Sequence, residues 1–248
     1  MTTSTATSAA PLILVPGFWL GAWAWDEVAG LLRADGLDVT PLTLPGLESK
    51  DADRSQVTME DHVRAIADAV RSVHDRTGRQ VVLAVHSGTG FSGYDASDRV
   101  PELIARMVYV DTAPGVGAMD PDLEGDYPIP PLAELRQNEN LDGLSDAQLA
   151  TFYERAVPEP GAILRADVPL TNDARLDIPS TIIATGVSSA TYQEWAKDGP
   201  PWLAGLNEVH DITWVDLPTS HWVMWSKPRE LAQILADAAR TAGDRAAA

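Results

Sequence analysis

Residues 81–85, Val-Val-Leu-Ala-Val, are apolar without interruption, and the run stops abruptly at His86, Ser87 and Gly88. A half-buried strand alternates polar and apolar residues, whereas an unbroken apolar strand has to be covered on both faces, as inside a parallel sheet. PLILV (11–15) shares this habit, and RMVYVD (106–111), STIIATG (180–186) and ITWVDLP (212–218) are strand-like. LDVTPLTL (37–44) is also strand-like, and its Pro41, which cannot donate to a ladder, places it near a sheet edge. Between these runs the spacing turns helical. WDEVAGLLRADG is stopped by Gly36. Thr58 caps a segment reaching Asp75, with Met59, Val63, Ile66, Val70 and Val73 on one face and His62 and His74 assigned to the solvated one. Pro228 opens a final helix with Leu231, Ile234, Leu235 and Ala238 inward. Strands alternating with helices predict an α/β fold with a mostly parallel central sheet flanked by helices.

The rhythm breaks between Pro114 and Leu176. That stretch is rich in proline and aspartate and holds one clear helix, starting at Ser145 with Gln148 in capping-box position. It reads as an insertion, a helical cap at 114–176 set into a core made of residues 11–113 and 177–243. With 248 residues, 45% of them hydrophobic and 22% charged, the chain suits one compact domain carrying such an insertion. Residues 1–10 are small and polar and read as a disordered tail; without a basic start or an apolar centre they predict a cytoplasmic protein. The absence of cysteine excludes disulfides, thiolate metal sites and cysteine nucleophiles. A formal charge of −18 disfavours nucleic acid and anionic membranes as partners, and no apolar run is long enough to span a bilayer. Nothing in the sequence calls for a metal or an organic cofactor, and nothing in it sets an oligomeric state.

In open parallel sheets ligands bind at the carboxyl ends of strands. The residues emerging there are Pro16-Gly17-Phe18-Trp19, His86-Ser87-Gly88, Asp111, and the loop with Ser220-His221. A serine, an aspartate and a histidine thus leave one edge in that chain order. A serine hydroxyl becomes a good nucleophile only when a neighbouring base takes its proton, and a carboxylate can hold that base in the right tautomer. An aspartate following a strand also serves commonly as a turn residue, here for Thr112-Ala113-Pro114-Gly115.

Val-His-Ser-Gly-Thr at 85–89 is similar to the nucleophile elbow of the α/β-hydrolase superfamily. The opening LVPGFWLGAWAWDEVAGLLRADGLDV resembles the oxyanion-loop region of its methylesterase/hydroxynitrile-lyase branch, and LPTSHWVMWSKPRELAQIL resembles the terminal histidine loop and helix. The resemblance covers nearly the whole chain and implies the α/β-hydrolase fold, with the insertion in place of the variable cap. It implies Ser87 as nucleophile, His221 as base and Asp111 as acid, with the backbone N–H groups of Phe18 and Gly88 forming an oxyanion hole. The sequence departs from the family pattern twice. Val85 and Thr89 stand where small residues are preferred, a crowding that Gly88 and Gly90 are expected to relieve. Asp111 follows the fourth strand, whereas many members carry the acid after the next-to-last strand, where no carboxylate occurs before Glu194.

Trp19 and Trp222, beside proposed site residues, are expected to line a substrate pocket, and His86 is a further pocket candidate. Trp23 and Trp25 are expected to pack the first helix, while Tyr127, Phe152 and Tyr153 suggest a roof. The function expected is serine hydrolysis of a small ester, lactone or related acyl compound bearing an apolar or aromatic group. Two alternatives share the fold: a cofactor-free lyase or dioxygenase using the His–Asp pair as base, and a member that binds a ligand without catalysis.

Overall fold

The computed structural model describes residues 9–246. Six parallel strands form one sheet: β1 (Leu12–Val15), β2 (Val39–Pro41), β3 (Val81–His86), β4 (Ile104–Val110), β5 (Ser180–Ala184) and β6 (Ile212–Asp216), in the order β2-β1-β3-β4-β5-β6. β1, β3 and β5 are buried along their whole length, as strands covered on both faces must be. β2 with Pro41 is an edge, and β6 at the other edge is half-buried.

Helices α1 (Asp26–Ala34) and α2 (Met59–Thr77) precede α3 (Thr89–Arg99) in the first half of the core. The insertion supplies α4 (Leu132–Asn138), α5 (Asp146–Arg155) and α6 (Gly161–Arg165); the core resumes with α7 (Ser189–Ala196), the single turn α8 (Val223–Ser226) and α9 (Pro228–Ala246). α1 packs against α9, and α2 against α3. α2 starts where its capping box requires: Asp61 N–H donates to the Thr58 hydroxyl and Thr58 N–H to the Asp61 carboxylate, at 3.3 and 2.9 Å. It ends at Gly78, left-handed with φ 67°. α5 has the same device, with Ser145 and Gln148 exchanging bonds of 3.3 and 2.8 Å.

Two local expectations need correction. His62 is not solvated: it is fully buried, and its Nε2 meets the Pro45 carbonyl at 2.9 Å. Its position, three residues after Met59 and four before Ile66, puts it on the apolar stripe itself. The tail assigned to residues 1–10 lies outside the described residues over positions 1–8, but Ala10 is buried and donates its N–H to Ala239 at 2.8 Å.

The crowded elbow is accommodated by a residue the sequence did not single out. A Cβ on Gly93, one turn into α3, would lie 2.4 Å from Val85 Cγ1, so the helix crosses the strand in contact with the valine only because residue 93 is glycine. Thr89 turns its crowding to use: its hydroxyl donates to His86 O at 2.8 Å and accepts from His86 N–H at 3.2 Å, stitching strand end to helix start. Gly90 instead makes room for the loop after β4, with Thr112 Oγ1 2.6 Å from the place of its missing Cβ. Urea denaturation should show Gly93→Ala destabilised by about 1–3 kcal/mol, the usual cost of overpacking. Gly93→Ala/Val85→Ala should lose less stability than the sum of the two single losses, because the new methyl fills space that the valine vacates; strictly additive losses would refute the contact.

Candidate active site

β3 delivers Ser87 at the carboxyl edge of the sheet, between β1 and β4. The chain turns there with Ser87 at φ 54°, and α3 begins two residues later. Among the described residues only three non-glycine positions adopt a left-handed backbone, Trp19 (68°), Ser87 (54°) and Asp111 (46°). Each costs on the order of 1–3 kcal/mol in an L-residue, and such strain gathers where function needs a fixed geometry. All three line one cavity.

Three side chains form a continuous hydrogen-bonded line there. Ser87 Oγ lies 2.8 Å from His221 Nε2, and His221 Nδ1 lies 2.7 Å from Asp111 Oδ2. With the carboxylate accepting at Nδ1, the ring carries its proton there and Nε2 is free to accept from the hydroxyl. Asp111 Oδ1 accepts N–H groups from Thr185 and Gly186 at 3.0 and 3.2 Å, and the Tyr192 hydroxyl at 3.4 Å. Burial works to raise the Asp111 pKa, but its bond to His221, the histidine's charge and the Thr185 bond outweigh burial and hold it well below the ordinary carboxylate range. Burial likewise works to lower the His221 pKa, and Asp111, helped by Glu139 with an oxygen 4.0 Å from Nδ1, holds it above 6.5 instead. His221 N–H donates to Asn140 O at 2.9 Å, so the insertion also fixes the histidine loop.

Phe18 and Gly88 flank Ser87 in the cavity wall. Their N–H groups have no protein acceptor among the described residues. Glycine is required at both turns that meet here. A Cβ on Gly17 would stand 2.7 Å from Ser87 Cβ, and one on Gly88 would stand 2.3 Å from the Phe18 ring. The cavity measures about 380 Å³, within the span of small-molecule sites. Its walls are Phe18, Trp19, Phe91, Met119, Leu164 and Trp202, with Tyr127 and Thr112; Asp120 and Glu139 are its charged residues besides Asp111. Among the described residues no group of three His, Asp or Glu side chains is arranged to hold a metal.

Of the pocket candidates, Trp19 lines the cavity, while His86 and Trp222 do not. His86 is buried behind the line: its Nε2–H donates to His221 O at 2.9 Å and its Nδ1 accepts Gly17 N–H at 3.2 Å. It buckles the β1 loop to the histidine loop, and burial, with His221 adding to it, keeps the ring neutral far below its ordinary pKa. Trp222 is 2% exposed and supports His221 from behind, edge-on to its ring at 5.2 Å and stacked with Trp225. Trp25 is fully buried, Trp23 stacks on Trp225, and Trp225 donates to Ala24 O. Tyr127 stacks on Trp19 at 5.2 Å, and Phe152 packs edge-on beneath the same indole. Tyr153 instead donates its hydroxyl to Pro130 O at 3.0 Å and does not line the cavity. Phe91 and Trp202 line the cavity without having been singled out in the sequence; a helix interior and a 3-10 segment (Pro201–Asn207) with no motif gave no signal for either.

A sheet of this order, with a left-handed serine between its third strand and the following helix and a histidine loop before the last helix, defines an α/β-hydrolase-type protein. The sequence profile of the alpha/beta hydrolase family matches residues 12–240. The chain belongs to that family and is an enzyme of the hydrolase type. It is 25% identical to esterase PIR7B of Oryza sativa subsp. japonica, over 93% of this chain and 96% of that protein. It is 30% identical to a carbendazim hydrolyzing esterase of Nocardioides sp. (strain SG-4G), over 92% of this chain and 98% of that protein. Among solved structures, methylesterase MES16 from Arabidopsis superimposes with a TM-score of 0.72 at 19% identity, covering 92% of this chain and 98% of that one.

The electrostatics make a measurable claim. By NMR, the His221 imidazole should titrate above the ordinary value of about 6.5. In Asp111→Asn, burial acts without the carboxylate and the midpoint should drop below that value. Equal midpoints in the two proteins would contradict the assignment of Asp111 as the group that sets the ring's charge.

Proposed function

We propose that the protein is a serine esterase acting on small, uncharged esters with an apolar or aromatic group, through Ser87, His221 and Asp111. The observation that carries this reading is the 2.8 Å contact between Ser87 Oγ and His221 Nε2, with Nδ1 held by Asp111 on the far side of the ring. His221 Nε2 takes the hydroxyl proton as Oγ bonds to the ester carbonyl carbon. Asp111 stays ionised and stabilises the imidazolium. The carbonyl oxygen becomes an oxyanion facing the N–H groups of Phe18 and Gly88, each such donor contributing about 3–4 kcal/mol to transition-state stabilisation. The imidazolium then protonates the leaving alcohol, and water, deprotonated by the same nitrogen, releases the acid from Ser87. Ester rather than another acyl substrate is favoured by the relatives, which are named as esterases.

The base reading of the His–Asp pair, as in a cofactor-free lyase or dioxygenase, leaves Ser87 without covalent work. One experiment separates the two. A fluorophosphonate probe should label wild type and not Ser87→Ala, and Ser87→Ala should lose at least ~10³-fold of kcat on an aryl ester, as for other serine triads. Unlabelled wild type, or a Ser87→Ala variant of undiminished activity, rejects the nucleophile.

The pH profile follows from the sign of the histidine shift. Only the neutral ring accepts the proton, and Asp111 raises its pKa, so kcat/KM should climb with pH through a midpoint above about 6.5 and level off beyond it. Charge in the cavity sets a preference. Asp120 and Glu139 repel anions, and among the described residues no lysine or arginine lies in the wall. Esters bearing a carboxylate should therefore show lower kcat/KM than their neutral counterparts, with the gap narrowing as salt rises.

A further inference from the structure

Beneath Trp19, away from the reacting atoms, the insertion and α2 meet in a fully buried polar pair, Glu159 and His62. Glu159 Oε2 accepts the N–H of Trp19 at 3.1 Å, and Val157 N–H donates to Trp19 O at 2.9 Å. Residues 157–159 thereby clasp both backbone polar groups of a residue held at φ 68°. The clasp is itself braced, because Glu159 and Tyr127 exchange backbone hydrogen bonds of 2.8 and 3.0 Å and Tyr127 O accepts Trp19 Nε1–H at 3.3 Å. Trp19 directly follows Phe18, which lines the cavity together with Ser87.

The other carboxyl oxygen, Oε1, has no hydrogen-bond partner among the described residues and faces His62 Nδ1 at 3.8 Å, which has none either. The tautomer of His62 is fixed, because Nε2 must carry hydrogen to donate to Pro45 O. A neutral ring so arranged bares a lone pair on Nδ1. A carboxylate oxygen pointed at that lone pair would set acceptor against acceptor, whereas a protonated one is a donor.

We propose that Glu159 is kept as the neutral acid with its proton on Oε1 directed at His62 Nδ1, and that it is a positioning residue for the oxyanion loop, holding Trp19 in its left-handed turn so that Phe18 N–H faces Ser87. Burial agrees with both protonation states. It pushes the Glu159 carboxyl up to about 8 against the Trp19 bond, and brings His62 down to about 4. Asp61 on α2 and Glu48 before it, the acids acting on His62, raise its pKa by less than burial lowers it. The role in the oxyanion loop rests on the acyl-transfer reading above; the protonation state does not.

Two variants and two measurements test it. Glutamine keeps an acceptor for Trp19 N–H and places an amide donor toward His62, so Glu159→Gln should hold kcat within about fivefold of wild type on an aryl ester. Leucine fills the space without an acceptor, so Glu159→Leu should lose more than about fivefold of kcat with KM changed less, since a displaced donor acts on the transition state. Wild-type kcat in Glu159→Leu, or an equal loss in both variants, overturns the positioning role. If Glu159→Leu yields no folded protein, Glu159→Gln alone decides, because a loss above about fivefold contradicts the hydrogen-bond exchange that defines the role. Infrared difference spectra of wild type minus Glu159→Gln at neutral pH should contain a protonated-carboxyl C=O band; an ionised-carboxylate band in its place overturns the neutral form. Wild type that hydrolyses no ester and takes no label at Ser87 rejects the acyl-transfer reading instead, and leaves the infrared result standing on its own.

Discussion

The imidazole of His221 is held at both ends, by Ser87 Oγ at 2.8 Å and Asp111 Oδ2 at 2.7 Å, and the surrounding structure is arranged so that this ring cannot turn. Its own backbone is tied on two sides, the N–H to Asn140 of the insertion and the carbonyl to His86 at the end of β3. Trp222 closes the space behind it. A ring free to rotate would lose the contact at Nε2 for part of the time, and misplacement of a reacting group by about 1 Å costs on the order of a hundredfold in rate. Rigidity here comes from three separate parts of the chain, which is why the site needs a whole domain to hold it.

Rigidity at the strand ends also sustains strain. Ser87, Asp111 and Trp19 each sit in the left-handed region, at the ends of β3, β4 and β1. Each is fastened by bonds to a neighbouring segment: Ser87 N–H to Val110 O, Asp111 N–H to Ile183 O, and Trp19 through Glu159 and Val157. The first two simply continue the hydrogen bonding of the parallel sheet one residue past the regular strand. The third has no strand to extend and borrows its partners from the insertion. The insertion therefore contributes to the geometry of the core loop as well as covering it.

What could be read in the sequence and what could not divides along the range of the interactions involved. Strand-like apolar runs and capping residues are local, so the six strands, the helix after Thr58 and the helix after Ser145 were legible. The convergence of Ser87, Asp111 and His221 was legible because the first two directly follow strands and the third lies in the loop after the last strand, at the edge where a parallel sheet gathers its functional groups. His86 and Trp222 adjoin site residues in the chain but point away from the cavity, because neighbours around a turn face different directions. Glu159 gave no signal, lying between prolines in a segment without periodicity, and its partners are 97 and 140 positions away. Gly93 was equally silent, since a close crossing of helix over strand leaves no mark in the sequence beyond one small residue.

Under the proposed function, the placement of Asp111 as the acid is an exchange of parts that leaves the geometry unchanged. The resemblance implies that many members carry the carboxylate at the end of the strand next to the last, which here is β5. In this chain the end of β5 offers no carboxylate; it offers the backbone N–H groups of Thr185 and Gly186, both aimed at Asp111 on the end of β4. β4 and β5 are paired neighbours, so a carboxylate on one and its donors on the other occupy the same small volume whichever strand carries the charge. The left-handed turn at Asp111 is what directs its side chain across that gap. A buried acid needs donors on one oxygen and the histidine on the other, and two adjacent strand ends can meet that requirement in either order.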